Sequence, residues 1–479
     1  MAIDFFGDYT LTINGKAARS ERAFGVINPA TEEAFAEAPQ ASREQLEEAV
    51  AAARAAFGPW SRMPAGERQR LVSLIGDRIE AHAEDFMRLL TLEQGKARAG
   101  AEWEVGGSAI WCREIAKQSL ESRVVEESAD RTVETRRVPL GVVGAITPWN
   151  FPLLLAVWKT APALVAGNTI ILKPSPYTPL CTLKYGEILR DLLPPGVVNI
   201  LSGDNELGAW MTKHPGINKI SFTGSSATGR KIMESASVNL KRITLELGGN
   251  DPAIVLPDVD VEATAKEVFW GAFQNSAQFC VAAKRVYVHD DIYDVFSKAL
   301  VDFAKTIKVG DGAEQGTDLG PINNRMQYDK LRDLLSDAKA NNLKFLLGGD
   351  IPDRKGFFVP VTIIDNPPDD SRVVVEEAFG PVLPLLRFRE IDDVVARAND
   401  TDYGLAASVW SADPKLAREV AEQLESGTVW INEIHSFSPH VAFGGHKQSG
   451  IGIENSLEGL AEYTNSQTLV THKVHPAGA

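Results

Sequence analysis

Gly141-Val-Val-Gly-Ala-Ile146, Thr169-Ile-Ile-Leu172, Val197-Val-Asn-Ile-Leu201 and Lys219-Ile-Ser-Phe222 are short apolar runs separated by segments of helical spacing. Runs that are apolar at nearly every position, rather than at every second one, are typical of strands buried on both faces of a parallel sheet. A second series follows Pro252, at residues 253–256, 285–288, 383–388, 407–410 and 428–431. The two series predict an α/β protein with two sheet-centred units, and the break falls near Gly248-Gly249-Asn250. Upstream, residues 44–57 and 67–90 carry apolar side chains at three- and four-residue spacing around the turn Gly58-Pro59, which predicts two amphipathic helices. One element is unlike the rest. Residues 123–127 and 131–138 are polar, β-rich runs around Ser128-Ala-Asp130, a hairpin with too little apolar face to pack on a core of its own. Such an exposed strand edge needs a partner.

A chain of 479 residues is too long for one ordinary core, so two or three domains are expected. Its 44% hydrophobic and 24% charged content is ordinary for a globular protein. A net charge of −15 gives an acidic surface that repels nucleic acid and anionic membranes. The three cysteines, Cys112, Cys181 and Cys280, have neither CxxC pairing nor histidines at zinc spacing, so no metal site is expected and free thiols in a reducing compartment are. The first residues hold two acids and no basic stretch, unlike a signal peptide. The most apolar stretch, residues 151–158, is closed by Lys159 and is too short to span a bilayer. These features read as a cytoplasmic protein.

The chemistry is concentrated in a few segments. Cys280 ends Phe273-Gln-Asn-Ser-Ala-Gln-Phe-Cys280, and Glu246 lies in Leu245-Glu-Leu-Gly-Gly-Asn250. A thiolate attacks a carbonyl carbon well, and a carboxylate nearby can move the protons involved. Alone, a cysteine is ordinarily a small buried hydrophobe and a glutamate between leucines an ion-paired structural residue. Four further segments change that balance: Thr147-Pro-Trp-Asn-Phe-Pro152, Leu172-Lys-Pro-Ser175, Ser221-Phe-Thr-Gly-Ser225 and Glu376-Glu-Ala-Phe-Gly-Pro381. With these six ordered motifs the chain resembles the aldehyde dehydrogenase superfamily over residues 28–468, nearly its whole length.

The resemblance implies a Rossmann-like cofactor domain (residues 1–119 and 139–248), a second α/β catalytic domain (249–448) and a β-hairpin oligomerisation arm (120–138 and 460–479). In that arm a strand at 468–473 joins the hairpin and pairs with a neighbouring subunit, giving a homodimer or homotetramer. It implies an NAD(P)-dependent enzyme that turns an aldehyde into its carboxylic acid through a thiohemiacetal and a thioester. Cys280 matches the nucleophile, Asn150 the oxyanion donor and Glu246 the general base, whose apolar neighbours should raise its pKa. A base for water favours release of a free acid over acyl transfer to coenzyme A, and the standing triad disfavours a non-catalytic relative. By the same carry-over, Lys173 matches the lysine that binds the adenosine ribose, Gly224 and Ser225 the turn under the pyrophosphate, Glu377 the carboxylate on the nicotinamide ribose and Phe379 the ring beside the nicotinamide. Ile146, Thr147, Pro148, Trp149, Ser175, Pro176, Gly203, Gly208, Phe222, Thr223, Leu247 and Gly248 complete the implied cofactor set. A glycine turn at a helix N-terminus suits a pyrophosphate, although Gly224 and Gly229 alone make a weak dinucleotide fingerprint.

Two departures from the family pattern stand out. Ala277 occupies a position where glycine is usual. Pro176 stands where many members have a glutamate that chelates the adenosine ribose, which removes one barrier to NADP. No arginine or second lysine adjoins it, so NAD is favoured and NADP tolerated. By motif position the substrate tunnel should include Phe151, Leu154, Leu155, Trp158, Phe279, Val281, Phe437 and Phe443, an apolar wall for an aromatic or medium aliphatic aldehyde. Trp158 stands where members acting on succinate semialdehyde usually have arginine, which argues against a carboxylate-tailed semialdehyde. Aromatic walls would also accept a trimethylammonium group, which leaves a betaine-type aldehyde open.

Overall fold

The protein is described here from a computed structural model covering residues 3–473. Five parallel strands form the centre of the first sheet, in the order Arg242–Glu246, Lys219–Thr223, Val142–Ile146, Thr169–Lys173, Val198–Ile200. The chain starts this centre at Val142–Ile146, works outward to Val198–Ile200, then crosses back to Lys219–Thr223 and Arg242–Glu246. That is the strand order of a dinucleotide-binding sheet, and its direction reverses between Val142–Ile146 and Lys219–Thr223. Loops leaving the carboxyl ends of these two strands diverge and open a crevice. Antiparallel strands extend both edges: Gly450–Ile451 on Arg242–Glu246, and Leu11–Ile13 with Lys16–Ala18 beyond Val198–Ile200.

The second sheet has seven strands, in the order Lys344–Leu347, Thr362–Asp365, Val382–Phe388, Ala283–His289, Asp251–Val255, Ala406–Trp410, Thr428–Ile431. All neighbours are parallel except the first pair. The chain passes from the first sheet to the second between Glu246 and Asp251. The α/β class with parallel sheets is therefore as expected. Each central strand read from the sequence is present, within a residue or two of its expected ends.

The hairpin forms from Arg123–Glu127 and Arg131–Pro139, and Thr464–His472 adds antiparallel to it as the third strand of a separate sheet. Of the expected strand at 468–473, all but Lys473 lies within Thr464–His472; residues 474–479 of the expected arm lie outside the described residues. Val124, Val125 and Val470 are exposed on this sheet. One expectation is corrected: residues 67–90 are two helices, Ala65–Ala81 and Ala83–Gln94, separated at His82. Glu84 and Asp85 favour a fresh start there, because acids in a first turn complement the free N–H groups. The helix Pro152–Val165 is buried at every residue and packs against Arg98–Ile115 and the first sheet. Among the described residues, no helix is long and apolar enough to cross a membrane, and no group of His, Cys, Asp or Glu side chains is placed to hold a metal ion.

Candidate active site

Helix Pro152–Val165 starts at the carboxyl end of Val142–Ile146 and turns Leu154, Leu155 and Trp158 toward the second sheet. The loop before strand Ala283–His289 brings Phe279, Cys280 and Val281 to face them. Phe437 and Phe443 approach from the segment after Thr428–Ile431, and Phe151 closes the near side. These residues line a narrow cavity, with Glu246, Leu247 and Thr223 on the remaining wall. Trp103 and Trp111, on helix Arg98–Ile115, complete the lining. The rings pack mutually: Trp158 stacks on Trp111 at 5.6 Å and meets Phe443 edge-on at 5.6 Å, while Phe151 lies 4.7 Å from Phe279. The wall is apolar apart from a thiol, a carboxyl and a hydroxyl.

The thiol and the carboxyl are both unusual. Burial pushes the Cys280 thiol up to about 12; Lys284 pulls it down, while Asp251, Glu377 and Glu246 push the same way as burial. Burial, and then the negative Glu454, raise Glu246 well above the ordinary carboxylate range, with Lys159 opposing. Neither oxygen of Glu246 has a hydrogen-bond partner. A carboxyl in that setting is shifted toward its protonated form, and a partner or water entering the cavity would favour the carboxylate that acts as a base. Beneath it lies a buried ion pair, Lys159 Nζ to Glu454 Oε1 at 2.6 Å, which also bonds Ser221 Oγ. Tyr463 Oη donates to the same Ser221 oxygen at 3.3 Å.

Asn150 is buried just behind the cavity wall. Its side-chain Nδ2 donates to the Gln278 carbonyl at 3.0 Å, which leaves the amide's second N–H available. The loop carrying Gln278 is strained: Asn275, Ser276 and Ala277 have φ of 53°, 55° and 57°. Left-handed backbone costs an L-residue about 1–2 kcal/mol, so glycine would be the relaxed choice at Ala277. Ser276 Oγ to Gly320 O, and Gln278 Nε2 to Asn275 O and Pro321 O, hold the loop in that shape.

A second, more polar cleft opens between the sheets and is lined by Ser225, Ser226, Arg230, Lys330, Glu376 and Glu377 among others. Ser225 caps helix Ser226–Ala236, whose free N–H groups face the crevice at the strand reversal. Glu377 accepts from the Gly249 N–H at 3.0 Å, and Lys330 Nζ donates to the Glu377 carbonyl at 2.6 Å. A Cβ on Gly248 would come within 2.4 Å of the Glu377 carboxylate, so only glycine lets the two approach. Phe379 meets Trp149 edge-on at 5.3 Å. Lys173 is buried at the end of its strand, pushed down to about 8 by burial with Asp204 opposing, and among the described residues its Nζ donates only to the Pro174 carbonyl at 3.2 Å. The Thr147 and Thr223 hydroxyls are buried without partners. Free N–H groups, partnerless hydroxyls, an under-used lysine and a ribose-ready carboxylate fit a dinucleotide.

A family model described as "Aldehyde dehydrogenase family" matches residues 16–469. Aldehyde dehydrogenase LUC3 of Fusarium sp is 40% identical over 463 residues, covering 96% of this chain and 98% of that protein. Retinaldehyde dehydrogenase 3 of Homo sapiens is 40% identical over 461 residues, covering 94% and 90%. The NAD+ complex of an aldehyde dehydrogenase from Bacillus cereus superposes with a TM-score of 0.95 at 37% identity, covering 98% of this chain and 97% of that one. The chain belongs to the aldehyde dehydrogenase family.

In this aldehyde dehydrogenase all eight residues expected in the tunnel line the cavity, together with Cys280 and Glu246. Asn150 lies behind that wall rather than on it. Of the expected cofactor residues, Ser225 and Glu377 line the polar cleft, and Gly224, Gly248, Trp149 and Phe379 adjoin it. Ile146, Phe222 and Thr223 end the two reversal strands, Thr147 and Pro148 follow the first of them, Leu247 follows Arg242–Glu246, and Lys173 ends Thr169–Lys173 with Ser175 and Pro176 in the loop after it. Gly203 and Gly208 flank the start of helix Asn205–Lys213, and a Cβ on Gly208 would touch Lys173 at 3.8 Å. Sequence reasoning missed Trp103 and Trp111, the Lys159–Glu454 pair and Lys330. Their only signal was helical spacing or an isolated charge, neither of which marks a site.

Proposed function

We propose that this aldehyde dehydrogenase oxidises an uncharged aromatic or medium-chain aliphatic aldehyde to its carboxylic acid, with NAD preferred and NADP accepted. One observation carries the reading: Cys280 and Glu246 share an otherwise apolar, ring-lined cavity. Cys280, once deprotonated, adds to the carbonyl carbon to give a thiohemiacetal. The second N–H of the Asn150 amide and the Cys280 backbone N–H then hold the oxyanion; one such donor is worth about 2.7–4 kcal/mol. The thiohemiacetal on Cys280 then collapses to a thioester, a step for which a bound nicotinamide dinucleotide would supply the hydride acceptor. Glu246, in its carboxylate form, removes a proton from water attacking that thioester, and its raised pKa makes that carboxylate a stronger base than an ordinary one. A base at this point supports a free acid rather than a coenzyme A thioester as product.

Lys173, Ser225, Glu377 and Phe379 would hold the dinucleotide through adenosine ribose, pyrophosphate, nicotinamide ribose and ring edge in turn. Pro176 offers no carboxylate against a 2′-phosphate, which supports acceptance of NADP. The wall carries no cation to pair with a semialdehyde carboxylate. Its indoles and phenyl rings also favour a second substrate reading, a quaternary ammonium aldehyde held by cation–π attraction. The same account divides the chain into a cofactor domain (1–119, 139–248), a catalytic domain (249–448) and an arm (120–138, 460–479) that joins subunits into a dimer or tetramer in the cytoplasm. The test is Cys280→Ala, since Cys112 and Cys181 are fully buried elsewhere and no other thiol meets the cavity. Aldehyde-dependent NADH formation should vanish while NAD binding persists; retention of more than a few per cent of kcat refutes the assignment.

A further inference from the structure

Gly95 ends helix Ala83–Gln94 in left-handed backbone, φ 96°, and delivers Lys96 into the interior. The Lys96 ammonium is 1% exposed and pairs with Glu104, which is fully buried one to two turns into helix Arg98–Ile115. An ion pair taken so completely out of water contributes little net stability, so its hydrogen bonds are more telling than its charge. Lys96 Nζ donates to the Asn150 carbonyl at 2.9 Å and lies 4.1 Å from the centre of the Phe151 ring. Glu104 Oε1 accepts from the backbone N–H groups of Leu153 at 2.9 Å and Leu154 at 3.2 Å, capping a helix that has no cap of its own. Asn275, from the strained nucleophile loop, donates to the same Asn150 carbonyl at 3.3 Å. Asn150 is thus held by its carbonyl from two sides and by the helix that follows it, while its amide donates to Gln278.

We infer that the buried Lys96–Glu104 pair is a positioning device for the oxyanion donor, fixing the backbone at Asn150 so that its free amide N–H points at the substrate oxygen. The inference rests on the reading of Asn150 as that donor. Lys96 touches neither substrate nor Cys280, so it acts through Asn150. A displacement of about 1 Å in a group of this kind costs about 100-fold in rate.

The test compares Asn150→Ala, Lys96→Met/Glu104→Gln, and the two combined, using hexanal and NAD. Replacing both members of the pair avoids leaving one charge buried alone, and the glutamine keeps an oxygen for the Leu153 N–H. The expected result for the pair variant is a kcat about 100-fold lower, with KM and the NAD dissociation constant within about threefold and iodoacetamide alkylation of Cys280 within about threefold of the parent. Added to Asn150→Ala, the same substitutions should lower kcat by less than about threefold more, and Lys96→Arg should retain kcat within about tenfold. If the pair variant does not fold, Lys96→Gln carries the same comparison. Full independent losses in the combined variant, an unchanged kcat in the pair variant, or alkylation falling with kcat would each overturn the inference. An Asn150→Ala protein with normal kcat would instead bring down the underlying reading of Asn150, a result separable from failure at Lys96.

Discussion

Trp158→Arg asks the substrate cavity to accept a cation. Trp158 is 7% exposed, stacks on Trp111 and makes edge contacts with Phe443 and Phe437. Each aromatic pair is worth about 0.5–1.5 kcal/mol, so losing three removes roughly 1.5–4.5 kcal/mol from the wall. The helix itself should survive, because arginine is a good helix former and position 158 is mid-helix. The guanidinium would face mostly rings and aliphatic chains, with Glu246 the only carboxyl among the described residues lining the cavity and burial opposing its ionisation. Burying an unpaired cation costs several kcal/mol unless the substrate supplies the counter-charge. NADH formation should therefore show kcat/KM for hexanal and benzaldehyde falling tenfold or more, about 1.4 kcal/mol, while succinate semialdehyde gains relative to both. An unchanged hexanal value in a folded variant would mean that Trp158 does not meet the substrate. A parent enzyme already preferring succinate semialdehyde to every uncharged aldehyde would refute the apolar-cavity reading before any variant is made.

Two further predictions concern ionisation and the cofactor. With the Cys280 thiol near 12, alkylation by iodoacetamide without NAD should rise roughly tenfold per pH unit up to about pH 10, since only the thiolate reacts; a plateau below pH 8 would show a thiol already ionised. Pro176→Glu should shift the NAD/NADP ratio of kcat/KM toward NAD by repelling a 2′-phosphate, and an unchanged or inverted ratio would place the adenosine ribose elsewhere.

Most of the parallel strands were legible because burial on both faces leaves runs such as Gly141–Ile146 apolar throughout, whereas Arg242–Glu246 and Thr362–Asp365, with charged residues at their ends, were not read as strands. The arm was legible for the opposite reason: residues 123–138 are β-rich and polar, a combination that makes no core. Short strands such as Leu11–Ile13, Lys16–Ala18 and Lys344–Leu347 are not legible because three or four residues carry no measurable period. Lys159 read as the polar end of an apolar stretch, yet it is fully buried, because Glu454 reaches it from a distant part of the chain. No local pattern encodes such a pairing. Trp103 and Trp111 have the same difficulty, since helix Arg98–Ile115 meets the cavity only through tertiary packing. Ala277 carried a real signal: glycine is usual there, and the structure gives it a φ of 57°. Lys96 and Glu104 looked like two charges near a turn, and only folding puts them behind Asn150.

The central claim is that acyl transfer to Cys280 precedes hydrolysis by Glu246. It is tested most directly by mixing Glu246→Gln rapidly with NAD and benzaldehyde, following NADH, and digesting the quenched protein for mass analysis. Glutamine keeps the shape of a side chain whose two oxygens are unpartnered, so the fold should tolerate the change. The expected result is a burst of about one NADH per active site, then a slow steady state, with a benzoyl adduct on the peptide containing Cys280. No burst and no adduct, or an adduct on another residue, would contradict it.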